Sequence, residues 1–237
     1  MDYWNQDNFA GLLRLADELD GDAVLRPLAD YCRLRERGLR RDALRVLEDF
    51  VSASRGLDPA RARAAAVAIL EANARIAQAH QFLATPLLRG FVKPTLEAWL
   101  QQDADAHVPL RWLGMLGRDP ARLVRALTLR PDDAPVRAAL VAFALDDVAY
   151  ATHHLDESFF IGSVEDAVAA LERAARLVAE APDRTTLAPL ADEQQQLACL
   201  VDDWKSYCEA PHGSFPEWCE ARGRRYAYPV KVYYADP

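Results

Sequence analysis

Glycine is scarce in this chain, and the glycine patterns of several enzyme classes are missing. The sequence has 10 glycines in 237 residues. It contains no phosphate-binding glycine-rich loop, no dinucleotide-binding fingerprint and no Gly-x-Ser-x-Gly nucleophile motif. These absences argue against the enzyme classes that depend on those motifs. The sequence therefore predicts no catalytic residue and no cofactor.

Cysteine is also scarce, with four residues in the whole chain. A chain of this length with so few cysteines does not form a disulfide framework. Cys199, Cys208 and Cys219 lie near His212, but no Cys-x-x-Cys knuckle joins them. We expect buried free thiols and no metal site.

Long hydrophobic runs are missing too. The longest weakly polar stretch, 136–145, contains Arg137 and is too short to span a bilayer. The first residues show no basic region followed by an apolar core, as a secretory signal would have. The sequence predicts a cytoplasmic protein with no membrane partner.

Negative charge is in excess, with 36 Asp and Glu against 28 Lys and Arg and a formal net charge of −8. Such a chain repels the phosphate backbone overall, so nucleic acid is not an expected partner. An acidic surface attracts a basic protein and speeds the encounter. Ordinary solubility explains the same charge balance, and both interpretations stay open.

The strongest positive signal is a recurring pattern of helix starts and stops. Asp58-Pro59 and Asp119-Pro120 are start signals, and Gly38 and Gly117 are stop signals. Apolar residues between these signals recur at helical spacing, which predicts an all-α chain. We expect an array of antiparallel helical hairpins in one domain, 1–237, with 223–237 as an extended C-terminal segment.

We expect Asn8 to cap the first helix and the alanine-rich helix that begins at Pro59 to continue to about Phe82. Prolines at 86 and 94 are expected to break helical structure. A long helix is expected from Ala134 to about His154.

Some of these segments resemble a known repeat. Gly38, Ala43 and Leu47 occur at spacings similar to those of the glycine, small residue and large apolar residue of the tetratricopeptide repeat. The closing half of that repeat is similar to two further groups of residues: Leu123, Ala126 and Pro131, and Ala167, Leu171 and Ala174 within 164–182. The resemblance implies an array like tetratricopeptide or HEAT repeats, which serve as scaffolds and binding proteins. A general array of helical hairpins explains the same matches.

The densest polar cluster lies near the end of the predicted long helix. Its candidate binding residues are Tyr150, His153, His154, Asp156 and Glu157. If the helix continues, Asp146 joins Tyr150, His153 and Glu157 on one face. Histidine beside carboxylates is typical of metal ligation or acid–base chemistry, of partner contacts, or of a helix end.

The C-terminal segment combines arginine with tyrosine, residue types that are common at interface hot spots. Its candidate partner-binding residues are Arg224, Arg225, Tyr226, Tyr228, Tyr233 and Tyr234. Alternation from Tyr226 onward predicts an extended strand, and Pro229 limits that strand to a sheet edge. Its backbone would pair with this chain, with a second copy or with another protein.

The sequence as a whole predicts a protein–protein interaction module. One concrete version is a bacterial immunity protein, an inhibitor that binds a basic toxin or effector. The alternative is a helical enzyme, with or without a metal, that uses the cluster from Tyr150 to Glu157. A homo-oligomer joined through the C-terminal segment is a third interpretation.

Overall fold

The computed structural model describes residues 5–227, and every regular element in that range is helical. The all-α prediction is confirmed. The α-helices are α1 (Gln6–Leu19), α2 (Arg26–Glu36), α3 (Arg40–Ser54), α4 (Pro59–Arg75), α5 (Thr85–Leu87), α6 (Lys93–Gln102), α7 (His107–Gly117), α8 (Pro120–Leu129), α9 (Ala134–Thr152), α10 (Val164–Ala179), α11 (Ala188–Glu209) and α12 (Phe215–Glu220).

The chain divides into two compact units, Met1–Leu113 and Gly114–Pro237. Each unit has its own set of packed helices. In the first, α1 packs on α2, α2 on α3, and α4 on α6. In the second, α9 packs on α10, α10 on α11, and α8 on α9. The prediction of a single domain over 1–237 stays a prediction.

The predicted start signals act as expected because they are local. The side chains of Asp58 and Asp119 accept hydrogen bonds from the backbone N–H groups three residues on, and a proline follows each cap. Asp133 and Ser163 cap α9 and α10 in the same way. Each cap satisfies a backbone donor that the first helical turn leaves unpaired.

The predicted cap of α1 is wrong by three residues. Asn5, and not Asn8, is the N-cap, and its Oδ1 accepts from the Asn8 N–H at 2.8 Å. Asn8 is fully buried in the first unit. Both asparagines are suitable capping residues, so the sequence pattern alone selected the wrong one.

The predicted extent of α4 is also wrong. The helix ends at Arg75, and residues 76–84 form turns that bury Ile76, Ala79 and Phe82. The Tyr31 hydroxyl donates to the Gln81 carbonyl at 2.8 Å and fixes this segment against α2. Burial of Phe82 and the Tyr31 bond outweigh the high helix propensity of alanine, which is a weak preference.

Prolines 86 and 94 were expected to break helical structure, and both lie at the starts of helices, α5 and α6. Pro86 lies in the first turn of α5, where no N–H is needed. A π-helical turn, Leu88–Val92, joins α5 to α6 and directly precedes Pro94. Proline lacks the N–H that a regular helix interior needs, and the helix departs from regular α-helical winding directly before it. A Cβ on Gly90 in that turn would lie 2.8 Å from Val51 Cγ1, so α3 packs too closely for a side chain there.

The second unit is built around aromatic rings, of which three are buried and Tyr207 is partly buried. Phe215 lies at the centre, with its ring centroid 5.2 Å from that of Trp204, 5.5 Å from Tyr207 and 6.2 Å from Trp218. We call these four residues the aromatic core. Large rings bury much apolar area, and edge-to-face pairs add to that stabilisation.

The four cysteines differ in exposure. Cys32 and Cys219 are buried, but Cys199 and Cys208 are exposed, so the prediction of buried thiols is wrong for two of them. All four are free, and burial raises the pKa of Cys32 to about 12.

Among residues 5–227, no helix combines the length and the apolar character that crossing a bilayer requires.

Candidate functional site

The polar cluster lies around the end of α9, which is one of the arrangements that the sequence left open. Helix α9 ends at Thr152, whose hydroxyl donates back to the Val148 carbonyl at 2.9 Å. The chain then forms a 3₁₀ turn, Leu155–Glu157, and Leu155 is fully buried. Burial of Leu155 turns the chain away from the helix axis. The helix does not continue to Glu157, so the condition for placing Glu157 on one helix face with Asp146 and Tyr150 is not met.

Four rings form a continuous row at this end of α9. The centroids of Tyr150 and His153 lie 5.3 Å apart, those of His153 and His154 4.0 Å, and those of His154 and Phe159 6.5 Å. We call Tyr150, His153, His154 and Phe159 the α9 aromatic surface. Tyr150 is 46% exposed and Phe159 is 59% exposed. The row therefore presents aromatic area to solvent.

Hydrogen bonds orient the two histidines. His153 Nδ1 donates to the Tyr150 carbonyl at 2.6 Å, an acceptor that the end of α9 leaves available. His154 Nδ1 lies 3.3 Å from Glu157 Oε1. The rings are thus held by the helix end and by the 3₁₀ turn that follows it.

Carboxylates border the aromatic row. Asp156 and Glu157 are exposed. One carboxylate oxygen of each and one ring nitrogen of His154 lie within 4.8 Å of one another. Asp146, one turn before Tyr150, is bonded to the Arg118 guanidinium at 2.7 Å. Asp147 is exposed, with one oxygen 4.0 Å from the same arginine. The border of this surface is acidic.

Phe159 is the functional candidate that the sequence did not indicate. It lies in a segment of irregular backbone, where no period separates exposed from buried residues. Its neighbour Phe160 stacks on Trp204 at 6.0 Å between centroids, while Phe159 faces solvent. Two adjacent aromatic residues in a loop were the available signal, since they point in different directions when the backbone is extended.

The backbone around Phe159 is held at several points. The Phe159 N–H donates to the His154 carbonyl at 3.1 Å, and the Ile161 N–H donates to the Ala151 carbonyl at 2.8 Å. Ser158 has a φ of 58°, and its hydroxyl accepts from the Phe215 N–H at 2.7 Å. The loop is therefore fixed to α9 on one side and to the first residue of α12 on the other.

Helix α12 supplies a firm anchor for that loop. Ser214 and Glu217 form a reciprocal capping box at its start, a motif that the sequence analysis did not identify. The hydrogen bond from the Ser214 backbone N–H holds the pKa of Glu217 below its usual value. Because Phe215 follows the cap directly, the capping box positions both the aromatic core and the Ser158 contact.

The described residues of the C-terminal candidate group are held against the second unit. The buried carboxylate of Asp203 on α11 binds both the Arg224 guanidinium and the Tyr226 hydroxyl. Arg225 pairs with Glu220 at 3.1 Å. Tyr226 and Ala227 form no strand. Tyr228, Tyr233 and Tyr234, with the rest of the predicted strand, lie outside the described residues.

The predicted candidate residues therefore form two separate groups, one at the end of α9 and one beside the Asp203 carboxylate on α11. Tyr150, His153, His154, Asp156 and Glu157 lie around the end of α9, where Phe159 joins them. Arg224 and Tyr226 share the buried carboxylate of Asp203 on α11. The chain matches no protein-family model, no curated protein and no solved structure.

Proposed function

We propose that the protein is a binding module for another protein and that the α9 aromatic surface is its docking site. The observation that carries this proposal is the position of Phe159, a 59% exposed ring on a backbone held by hydrogen bonds on both sides. Large exposed aromatic rings are frequent anchors in protein interfaces.

A fixed backbone favours binding because little conformational entropy remains to be lost. Ordering of flexible side chains and loops opposes association, and a preorganised site avoids part of that cost. A phenyl ring also has few rotatable bonds for the area that it buries. Phe159 and Tyr150 therefore offer contact area at a low entropic cost.

The negative charge beside the rings indicates which class of protein would bind there. Asp147, Asp156 and Glu157 are exposed beside the rings, and the whole chain has a formal charge of −8. A lysine or arginine of the partner can lie over an aromatic face and pair with a neighbouring carboxylate. The partner is thus a protein with a basic surface, attracted at long range by the acidic chain.

The wider architecture fits a binding role. Consecutive helices pack on one another, α1 on α2 and α2 on α3 in one unit, α9 on α10 and α10 on α11 in the other. We propose that these pairs are helical hairpins of the tetratricopeptide or HEAT kind, as the sequence resemblance implies. The concrete version of the proposal is an immunity protein that neutralises a basic toxin in the cytoplasm.

The test is capture of a partner by the intact chain and by a Phe159→Ser variant from cells of the source organism, followed by mass spectrometry. Leu129→Ser is the matched control, because Leu129 is an exposed apolar residue of the same unit, at the end of α8. We expect a basic protein that is retained by the intact chain and by the control but lost with Phe159→Ser.

Two results would contradict the proposal. One is the absence of any stoichiometric protein with the intact chain. The other is a partner that Phe159→Ser retains as well as Leu129→Ser does. Capture of a second copy of this chain, abolished by truncation after Arg222, would instead favour the homo-oligomer joined through 223–237.

A second candidate function rests on the three ligand atoms of His154, Asp156 and Glu157 within 4.8 Å of one another. One nitrogen and two carboxylate oxygens are a ligand set that suits zinc or iron, with water in the remaining positions. Such a site would serve a helical metal-dependent enzyme, with Tyr150 beside it. Less than about a tenth of an equivalent of bound zinc after titration and desalting would exclude this candidate.

A further inference from the structure

The first unit contains a cavity whose charge is opposite to that of the chain. The cavity has a volume of about 560 Å³ and lies between α2, the start of α3 and the segment before α5. Its lining includes Arg35, Arg40 and His80, and no described residue of the lining is an aspartate or glutamate. The whole chain has 36 acidic residues, so a lining with two arginines and, among its described residues, no acidic one differs from the rest of the chain in charge.

The two arginines approach the cavity from different elements. Arg35, near the end of α2, is half-buried, and its guanidinium donates to the side-chain oxygen of Gln81. Its Nε is buried and has no hydrogen-bond partner. Arg40, the first residue of α3, is exposed. The bond to Gln81 thus holds one cation in place at the wall, while the other lies at the rim.

The start of α3 adds to the positive potential of the cavity. Gly38 and Arg40 both line the cavity, and no side chain caps the α3 N-terminus. Gly38 has a φ of +74°, which lets the chain turn sharply into α3, and a Cβ there would meet no atom within 4 Å. At this N-terminus the Arg40 N–H donates to the Gly38 carbonyl and Asp42 lies in the first turn, so the N–H groups that follow Arg40 and the two arginines are what favour an anion.

We infer that this cavity binds the phosphate group of a small molecule, with Arg35 and Arg40 as the charged ligands. One cation held at the wall and a second at the rim, beside a helix N-terminus, suit a group that carries close to two negative charges better than a carboxylate with one. Leu44, Ala84 and Pro86 line the same cavity and offer an apolar wall for the remainder of the molecule. The volume lies within the range of small-molecule sites.

The inference is independent of the proposed docking site, since its residues all belong to the first unit. The probes are phenyl phosphate, inorganic phosphate and benzoate, titrated into the full chain by calorimetry at about 0.15 M salt, where distant charges are screened. We expect saturable binding of phenyl phosphate at one site per chain and much weaker binding of benzoate. Binding of inorganic phosphate as tight as that of phenyl phosphate would identify free phosphate as the source of the same group.

Arg40→Gln and Arg41→Gln form a matched pair of variants. Both residues are exposed in the first turn of α3, and only Arg40 lines the cavity. Loss of a charge-assisted hydrogen bond predicts about tenfold weaker binding of phenyl phosphate for Arg40→Gln. The Arg41→Gln variant should bind within about twofold of the intact chain, since it removes only a distant screened charge.

Three results would overturn the inference: no saturable binding of either phosphate probe, equal binding of benzoate and phenyl phosphate, or equal weakening by the two variants. The third would show a general charge effect at the surface and not a site. Circular dichroism of both variants verifies that each remains folded, so a loss of binding reports on the cavity.

Discussion

Two aromatic regions of the second unit are connected by a hydrogen bond, and their most important phenylalanines differ in exposure. Phe159 of the α9 aromatic surface is 59% exposed, while Phe215 of the aromatic core is fully buried. The Ser158 hydroxyl connects them, because it accepts from the Phe215 backbone while Ser158 directly precedes Phe159. The buried region thus positions the exposed one.

This difference separates two uses of the same residue type. Phe215 stabilises the fold through apolar burial and ring contacts, whereas Phe159 contributes little to folding and keeps its area available. A mutation in the core should therefore change the free energy of unfolding, and a mutation at the surface should change affinity alone.

The Phe215→Ala substitution should cause the largest change. It removes the central ring of the aromatic core and leaves a cavity among Trp204, Tyr207 and Trp218. The free energy of unfolding should fall by about 3–5 kcal/mol, measured by urea denaturation. The matched surface variant, Phe159→Ser, should change it by less than about 0.5 kcal/mol. Equal losses for the two variants would refute the separation.

The Asp203→Ala substitution should release the C-terminal residues from α11. Asp203 is 3% exposed and binds Arg224 and Tyr226, so its removal eliminates two hydrogen bonds to a charged acceptor. We expect a loss of about 2 kcal/mol and faster tryptic cleavage after Arg224. Asp202→Ala is the control, because Asp202 is exposed and pairs only loosely with Lys205, at 3.8 Å. Unchanged cleavage in Asp203→Ala would show that this anchor is dispensable.

Ser158→Ala tests the link between the core and the surface. It deletes the acceptor of the Phe215 N–H, which should reduce the free energy of unfolding by about 1 kcal/mol. Ser158→Gly should cost less, since glycine adopts the positive φ of this position without strain. Partner affinity should fall with both variants, because the backbone of Phe159 loses a restraint. Full affinity in both would show that this restraint is not used.

Glu217→Gln should produce the smallest effect, visible as a change in pH dependence. Hydrogen bonding lowers the pKa of Glu217 in the folded state, so its contribution to stability is present above the unfolded pKa and is lost as pH falls through the folded one. The variant should therefore lose less stability than the intact chain between about pH 7 and about pH 3. Glu220→Gln, on the same helix, is the control, and identical pH profiles for the intact chain and Glu217→Gln would contradict the prediction.

The sequence predicted those parts of the fold that depend on near neighbours. Asp58 and Asp119 cap helices because the bond reaches only three residues along the chain. Features that depend on distant packing were missed. Helix α4 ends early because Phe82 is buried elsewhere, and Pro94 is accommodated by a π-helical turn that packs against α3.

The candidate site shows the same limit. The residue types at 150–157 identified a polar cluster, but burial of Leu155 turns the chain and replaces the expected helix face with a row of rings. Phe159 joins that row only because Phe160 packs on Trp204 and the Ser158 hydroxyl accepts from the Phe215 N–H. Those partners lie 44 and 57 residues away in sequence, beyond any local pattern.

The most direct test of the account is the affinity of the captured partner for Phe159→Ser, compared with Leu129→Ser, measured by calorimetry on folded proteins. We expect at least about a 30-fold loss of affinity for Phe159→Ser, the loss that an aromatic hot spot of about 2 kcal/mol would cause. Leu129→Ser should bind within about twofold of the intact chain. Equal affinities for the two variants would contradict the assignment of the α9 aromatic surface as the docking site.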